Sequence, residues 1–102
     1  MNSKISHTIR VNSATAPTVE VDTEAAAVYV RFKRTKVVRT LARNVPNMHV
    51  AVDLDRNGEV VGVEAVGVRE VQIARILKMA AVRAPNIDFA NVRYLPAELV
   101  AA

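Results

Sequence analysis

A chain of 102 residues carrying 14 Lys and Arg against 10 Asp and Glu makes one small domain of net charge +4, its core thin unless a second subunit covers one face. The absence of cysteine excludes disulfides, thiolate zinc sites and a cysteine nucleophile, and a hydrophobic content of 51% excludes a disordered chain. Only 4% of residues are aromatic, so Val, Ile, Leu and Ala must fill the interior.

Residues 1–18 read as a flexible arm rich in Ser, Thr, Asn and Ala, with residues 7–11 suited to a short strand. The first residues lack the apolar run of a signal peptide, and no stretch approaches the ~20 apolar residues of a membrane span. A cytoplasmic protein is the expectation. Residues 19–84 read as the folded domain. Val19 and Val21 begin it in an extended segment, and Asp22 is placed to accept backbone hydrogen bonds in the turn that follows. Val28, Val30 and Phe32 then alternate with Tyr29 and Arg31, the period of a half-buried strand. Arg34-Thr35-Lys36 turns the chain, and residues 37–42 return as another strand. Its inward face is not fixed, because Leu41 shares a side with Arg39 and Arg43. Pro46 interrupts pairing, having no N–H to donate to a ladder.

Residues 48–67 form the clearest pattern, a β-hairpin closing at Asn57-Gly58. That dipeptide suits a two-residue type I′ turn, where both central positions need φ > 0. Closure there sets Arg56 opposite Glu59, Leu54 opposite Val61, Val52 opposite Val63 and Val50 opposite Ala65. The other side carries His49, Ala51, Asp53 and Asp55 against Val66, Glu64, Gly62 and Val60. A slip of one residue would turn the apolar set outward, so turn and pattern agree.

After Gly67 the period changes. Ile73, Ile76, Leu77 and Ala80 recur at helical spacing, widened by Val71, Ala74 and Ala81, and predict a helix over residues 69–83 halted by Ala84-Pro85. The apolar surface is wider than one sheet face needs. A homodimer would cover the excess, with Ile73, Ile76, Leu77 and Ala80 as its self-association residues. Residues 85–102 read as an extended tail pinned by larger side chains and reaching across the dimer. The expected fold is therefore α+β: an antiparallel meander of about four strands, one C-terminal helix on its apolar face, and flexible ends.

Three constellations bear on chemistry. Asp53-Leu54-Asp55-Arg56-Asn57-Gly58 with Glu64 satisfies the EF-hand calcium-loop pattern, but the flanking segments favour strands, and a ladder would keep Glu64 from wrapping an ion. His49, Asp53 and Glu64 share one sheet face and could bind a divalent ion or transfer protons. The plainer reading is a solvated acidic face, or partners for the basic segment. His7, Ser3, Ser6 and Ser13 fall in the arm, and three glycines are too few for a phosphate-cradling loop, so no cofactor and no catalytic residue is assigned. The third constellation is Arg31, Lys33, Arg34, Lys36, Arg39 and Arg43, without an acid among them. With Tyr29 as a stacking ring, these residues could bind nucleic acid or an acidic protein. Alternatively the cations blunt a sheet edge, and Tyr29 packs on the helix or a neighbouring subunit.

Val21-Asp22-Thr23-Glu24-Ala25-Ala26-Ala27-Val28-Tyr29-Val30-Arg31-Phe32 resembles the opening signature of the domain of unknown function 2283 family, a group of small bacterial proteins. Val52-Asp53-Leu54-Asp55-Arg56-Asn57-Gly58-Glu59-Val60-Val61-Gly62-Val63-Glu64 resembles its second signature. Thr23 stands where the family often has proline, and Ala26 where it often has an acid. The resemblance implies a compact antiparallel sheet with a helix and no assigned activity or catalytic residues. The link of some relatives to toxin–antitoxin-like gene pairs implies a protein-binding role. The expected function is thus a non-enzymatic interaction module, homo-oligomeric and antitoxin-like. Nucleic-acid binding through residues 31–43 is the alternative, and a small metal-dependent hydrolase the third.

Overall fold

Apolar alternation becomes strand through the middle of the chain. The computed structural model describes residues 8–68 and 72–96. Its strands are β1 (Ile9–Arg10), β2 (Thr18–Asp22), β3 (Ala27–Arg31), β4 (Arg39–Arg43), β5 (His49–Leu54), β6 (Val60–Val66), β7 (Val82–Arg83) and β8 (Arg93–Pro96). Helix α1 (Ile73–Ala80) lies between β6 and β7, and a 3-10 turn, Phe89–Asn91, precedes β8.

The class is α+β, but the four-strand meander is replaced by a larger design. Six strands form a mixed sheet in the order β4-β5-β6-β3-β2-β8, and β1 pairs with β7 in a small parallel sheet. Within the larger sheet only β2 and β8 run parallel. The turn at residues 34–36 does not fold β4 back onto β3. Both edges of β3 are taken, by β2 and β6, and β4 pairs with β5. Burial accounts for this order. β6 is buried at most of its positions and sits in the interior of the sheet, whereas β4 has no buried position and lies at the rim.

Among the described residues, 8–18 and 85–96 are more engaged than an arm and a tail. Val11 and Pro17 are buried, and Ile9 pairs with Val82. β8 lies alongside β2 of the same chain rather than crossing to another.

Register aligns Leu41, Val52, Val63, Val30 and Val19 in one row across the sheet, and Val50, Ala65, Val28 and Val21 in the next. Ile73, Ile76, Leu77 and Ala80 of α1 join the same core cluster. Full burial of such a side chain stabilises the fold by about 1.5–3 kcal/mol. The helix is shorter than its periodicity predicts. Ala81 adopts a left-handed conformation (φ 58°, ψ 45°), its N–H donates to the Leu77 and Lys78 carbonyls, and the chain leaves as β7. Val82, β-branched and buried, serves a strand better than a third helical turn. Residues 69–71 of the predicted helix lie outside the described residues.

The β5–β6 hairpin keeps the expected pairs from His49↔Val66 through Asp53↔Gly62, but Leu54 faces Val60 instead of Val61. The expected type I′ turn does not form. Asn57 does not have positive φ, and Gly58 does, at 79°. The Gly58 N–H donates to the Asp55 carbonyl at 3.0 Å, and the Asp55 N–H to the Glu59 carbonyl at 2.9 Å. The loop therefore holds three residues, with Gly58 in the left-handed position such loops require. Asp55 directs this choice: its Oδ1 accepts from the Asn57 and Glu59 N–H groups at 2.8 and 3.0 Å. One residue gained in the loop is absorbed by a bulge at Val61, whose carbonyl accepts from the Phe32 and Lys33 N–H groups.

Candidate functional site: the open sheet face and the β4 edge

The face opposite α1 carries a chain of polar and aromatic contacts that spans five strands. Glu20 on β2 is held by Arg31 on β3 through two bonds, of 2.5 and 3.0 Å. The Arg31 guanidinium lies 4.8 Å from the Tyr29 ring centroid. Tyr29 reaches over β6 and donates its hydroxyl to Asp53 on β5 at 2.8 Å, and Thr40 on β4 donates to the other Asp53 oxygen at 2.7 Å. Gly62 permits this reach. A Cβ at Gly62 would overlap the outer edge of the Tyr29 ring. Burial, then the bond to the Asp53 carboxylate, pushes the Tyr29 hydroxyl well above its usual pKa of 10.0. Tyr29 thus packs on its own sheet rather than on the helix. A lone glycine in a strand signals such a close approach, and that signal was available in the sequence.

The calcium-loop pattern is laid out along this hairpin. Asp55 receives Lys33 at 2.7 Å, and Lys33 also meets Glu59 at 2.6 Å. The Lys33 ammonium, followed by the turn N–H groups, holds the Asp55 carboxyl below the usual carboxylate range, and Lys33 is raised in return. Of the three proposed metal or acid–base residues, His49 and Glu64 approach to 3.4 Å, while Asp53 is taken up by Tyr29 and Thr40. Among the described residues no group of three His, Asp or Glu side chains is arranged to hold a metal ion.

The basic segment divides into two sets. Arg31 and Lys33 are paired with acids, and Arg43 turns inward, its Nε donating to the Ala80 carbonyl at the end of α1 at 2.8 Å. That bond also settles the orientation of β4: Arg39, Leu41 and Arg43 lie on the helix side, Thr40 and Ala42 on the open side. Arg34, Lys36 and Arg39 are exposed, and no acid among the described residues lies within ion-pair distance of them. Between them stand Val37 and Val38, exposed by 39% and 56%. Among the described residues β4 pairs on one side alone, so its outer edge presents free backbone groups. Val37 and Val38 were absent from the expected site, although their place between Lys36 and Arg39 marked them.

Ile73, Ile76, Leu77 and Ala80, expected at a self-association surface, are buried within the chain, which leaves them little area for a second copy. A cleft of about 600 Å³ lies between residues 46–48 and α1, lined by Met48, Val68, Ile76 and Met79, with Arg75 its only charged side chain among the described residues. Among the described residues no helix is long and apolar enough to cross a membrane. No family model matches the chain, and neither a curated protein nor a solved structure matches it, so the comparisons assign it no family.

Proposed function

We propose that this chain is a non-enzymatic protein-interaction module whose contact surface is the β4 edge with residues 34–38. One observation carries the reading: at this rim, exposed valines coincide with cations and a strand edge that have no partner among the described residues. On the open sheet face and in the hairpin loop the acids are committed. Glu20, Asp53 and Asp55 each accept bonds from neighbouring side chains, which leaves them poorly placed for proton transfer or metal binding. The resemblance of residues 21–32 and 52–64 to a family without assigned activity fits the same reading, and an antitoxin-like role is one form it would take.

Nucleic-acid binding is less well supported. Three of the six cations are bonded within the chain, and Tyr29 lies flat among Asp53, Glu20 and Glu64 instead of standing on a basic surface.

The test uses the full chain, immobilised, against extract from its native host. Arg34→Glu/Lys36→Glu/Arg39→Glu is compared with Arg75→Glu/Lys78→Glu/Arg83→Glu, which alters net charge equally through exposed residues on and just after α1. A protein retained by the wild type and the second variant, and lost by the first, supports the module. Equal retention by both variants contradicts it.

A further inference from the structure

Building on that reading, we infer that the β4 edge takes an extended acidic peptide segment as an added strand, with its apolar side chains on the open side beside Val38 and Ala42, its carboxylates on the helix side beside Arg39, and Arg34 and Lys36 adding positive charge where the edge begins. Backbone and charge point to the same occupant. An outer strand with unpaired N–H and C=O groups is a template for a further strand, and main-chain bonds supply its affinity whatever the side chains. Specificity must then come from what flanks the edge. Here that is three cations with no acid in reach among the described residues, around two valines exposed by 39% and 56%.

A second copy of this chain is the competing occupant, and charge argues against it. Antiparallel self-pairing of β4 about Leu41 would set Arg39 of each copy opposite Arg43 of the other. Like charges directly opposite on neighbouring strands are destabilising. Registers shifted toward residue 36 bring Arg34, Lys36 and Arg39 of the two copies together. An acidic strand turns the same cations from a barrier into a selector.

The opposite rim of the sheet does not compete as an acceptor. β8 has four residues, ends in Pro96, which has no N–H to donate, and is flanked by no comparable group of cations among the described residues.

The probe is a fluorescein-labelled synthetic peptide of about seven residues alternating valine and glutamate, a length chosen to match residues 37–43. Three companions accompany it: the same peptide with lysine for glutamate, the same peptide N-methylated at alternate positions, and a single-stranded oligonucleotide of similar charge. Anisotropy titrations use the full chain at low salt. The expected result is saturable binding of the glutamate peptide, with at least about tenfold weaker binding of the lysine and N-methyl forms. Lys36→Glu/Arg39→Glu should weaken the glutamate peptide by about tenfold without changing the circular dichroism spectrum.

Equal binding of the N-methylated peptide overturns strand addition, and this arm needs no variant protein. Tighter binding of the oligonucleotide overturns the acidic-peptide assignment in favour of nucleic acid. Absence of peptide binding overturns the inference while leaving the module intact, provided the host-extract capture still depends on residues 34, 36 and 39. Where the capture is indifferent to those residues, the module reading itself fails.

Discussion

The two faces of the six-stranded sheet are built from alternate residues of the same strands, yet they are held by different physics. On the helix side Val19, Val28, Val30, Val50, Val52 and Val63 pack as rows of branched side chains under α1. On the open side Glu20, Arg31, Tyr29, Asp53 and Thr40 satisfy one another through hydrogen bonds and an aromatic contact. The first face supplies stability by burial, and the second is largely closed by its own polar pairing. The surface proposed for a partner is the rim. β4 contributes Thr40 to one face and Leu41 to the other, while its outer edge, among the described residues, contributes to neither.

The largest effect should come from breaking the apolar side. Ile76 is almost wholly buried between helix and sheet, so Ile76→Ala should cost about 2–5 kcal/mol by leaving a cavity, read from urea denaturation. On the open side the critical position is the one without a side chain. Gly62→Ala must displace the Tyr29 ring and with it the bond to Asp53, at about 1–3 kcal/mol. A double-mutant cycle sharpens this point: in a Tyr29→Ala background the Gly62 substitution should lose most of its effect. Independent, additive costs would show that ring and glycine do not act together.

Smaller effects follow from charge and pH. Tyr29→Phe should cost about 1 kcal/mol at neutral pH through the lost hydrogen bond. Because the folded-state pKa of Tyr29 is raised, its contribution is complete below the ordinary value of 10.0 and is lost as pH climbs through the folded value. The wild-type Tm should therefore fall more steeply above pH 10 than that of Tyr29→Phe. Asp55 has the opposite sign. Its lowered pKa stabilises the fold above the ordinary carboxylate value of 3.8, and that contribution disappears as pH falls through the folded value. Asp55→Asn should flatten the acid limb of the Tm–pH curve, and an unchanged limb would detach Asp55 from the turn.

Much of the hairpin was legible because side-chain period and turn chemistry are local. Val50↔Ala65 and Val52↔Val63 follow from alternation alone. Leu54 shifted because the Asp55 carboxylate draws the Asn57 and Glu59 N–H groups into a longer loop, an effect that outweighs the intrinsic preference of Asn-Gly. The neighbours of β3 were misread because a short connection suggests a hairpin, whereas burial sends apolar β6 to its side and charged β4 to the rim. The parallel pairings β2–β8 and β1–β7 join residues far apart in the chain and leave no periodic trace. The basic segment was visible as a run of cations. Its division into bonded Arg31, Lys33 and Arg43 and unpaired Arg34, Lys36 and Arg39 depends on strand order, which no local pattern encodes.

The proposed role requires the β4 edge to be the surface left for a partner. Amide hydrogen exchange on the full chain, free and with saturating valine–glutamate peptide, tests it most directly. The expected result is slowed exchange confined to β4 and residues 37–38, with the Tyr29–Asp53 face and β8 unchanged. Protection confined to α1, β8 or the open face, with β4 exchanging as in the free chain, would contradict it.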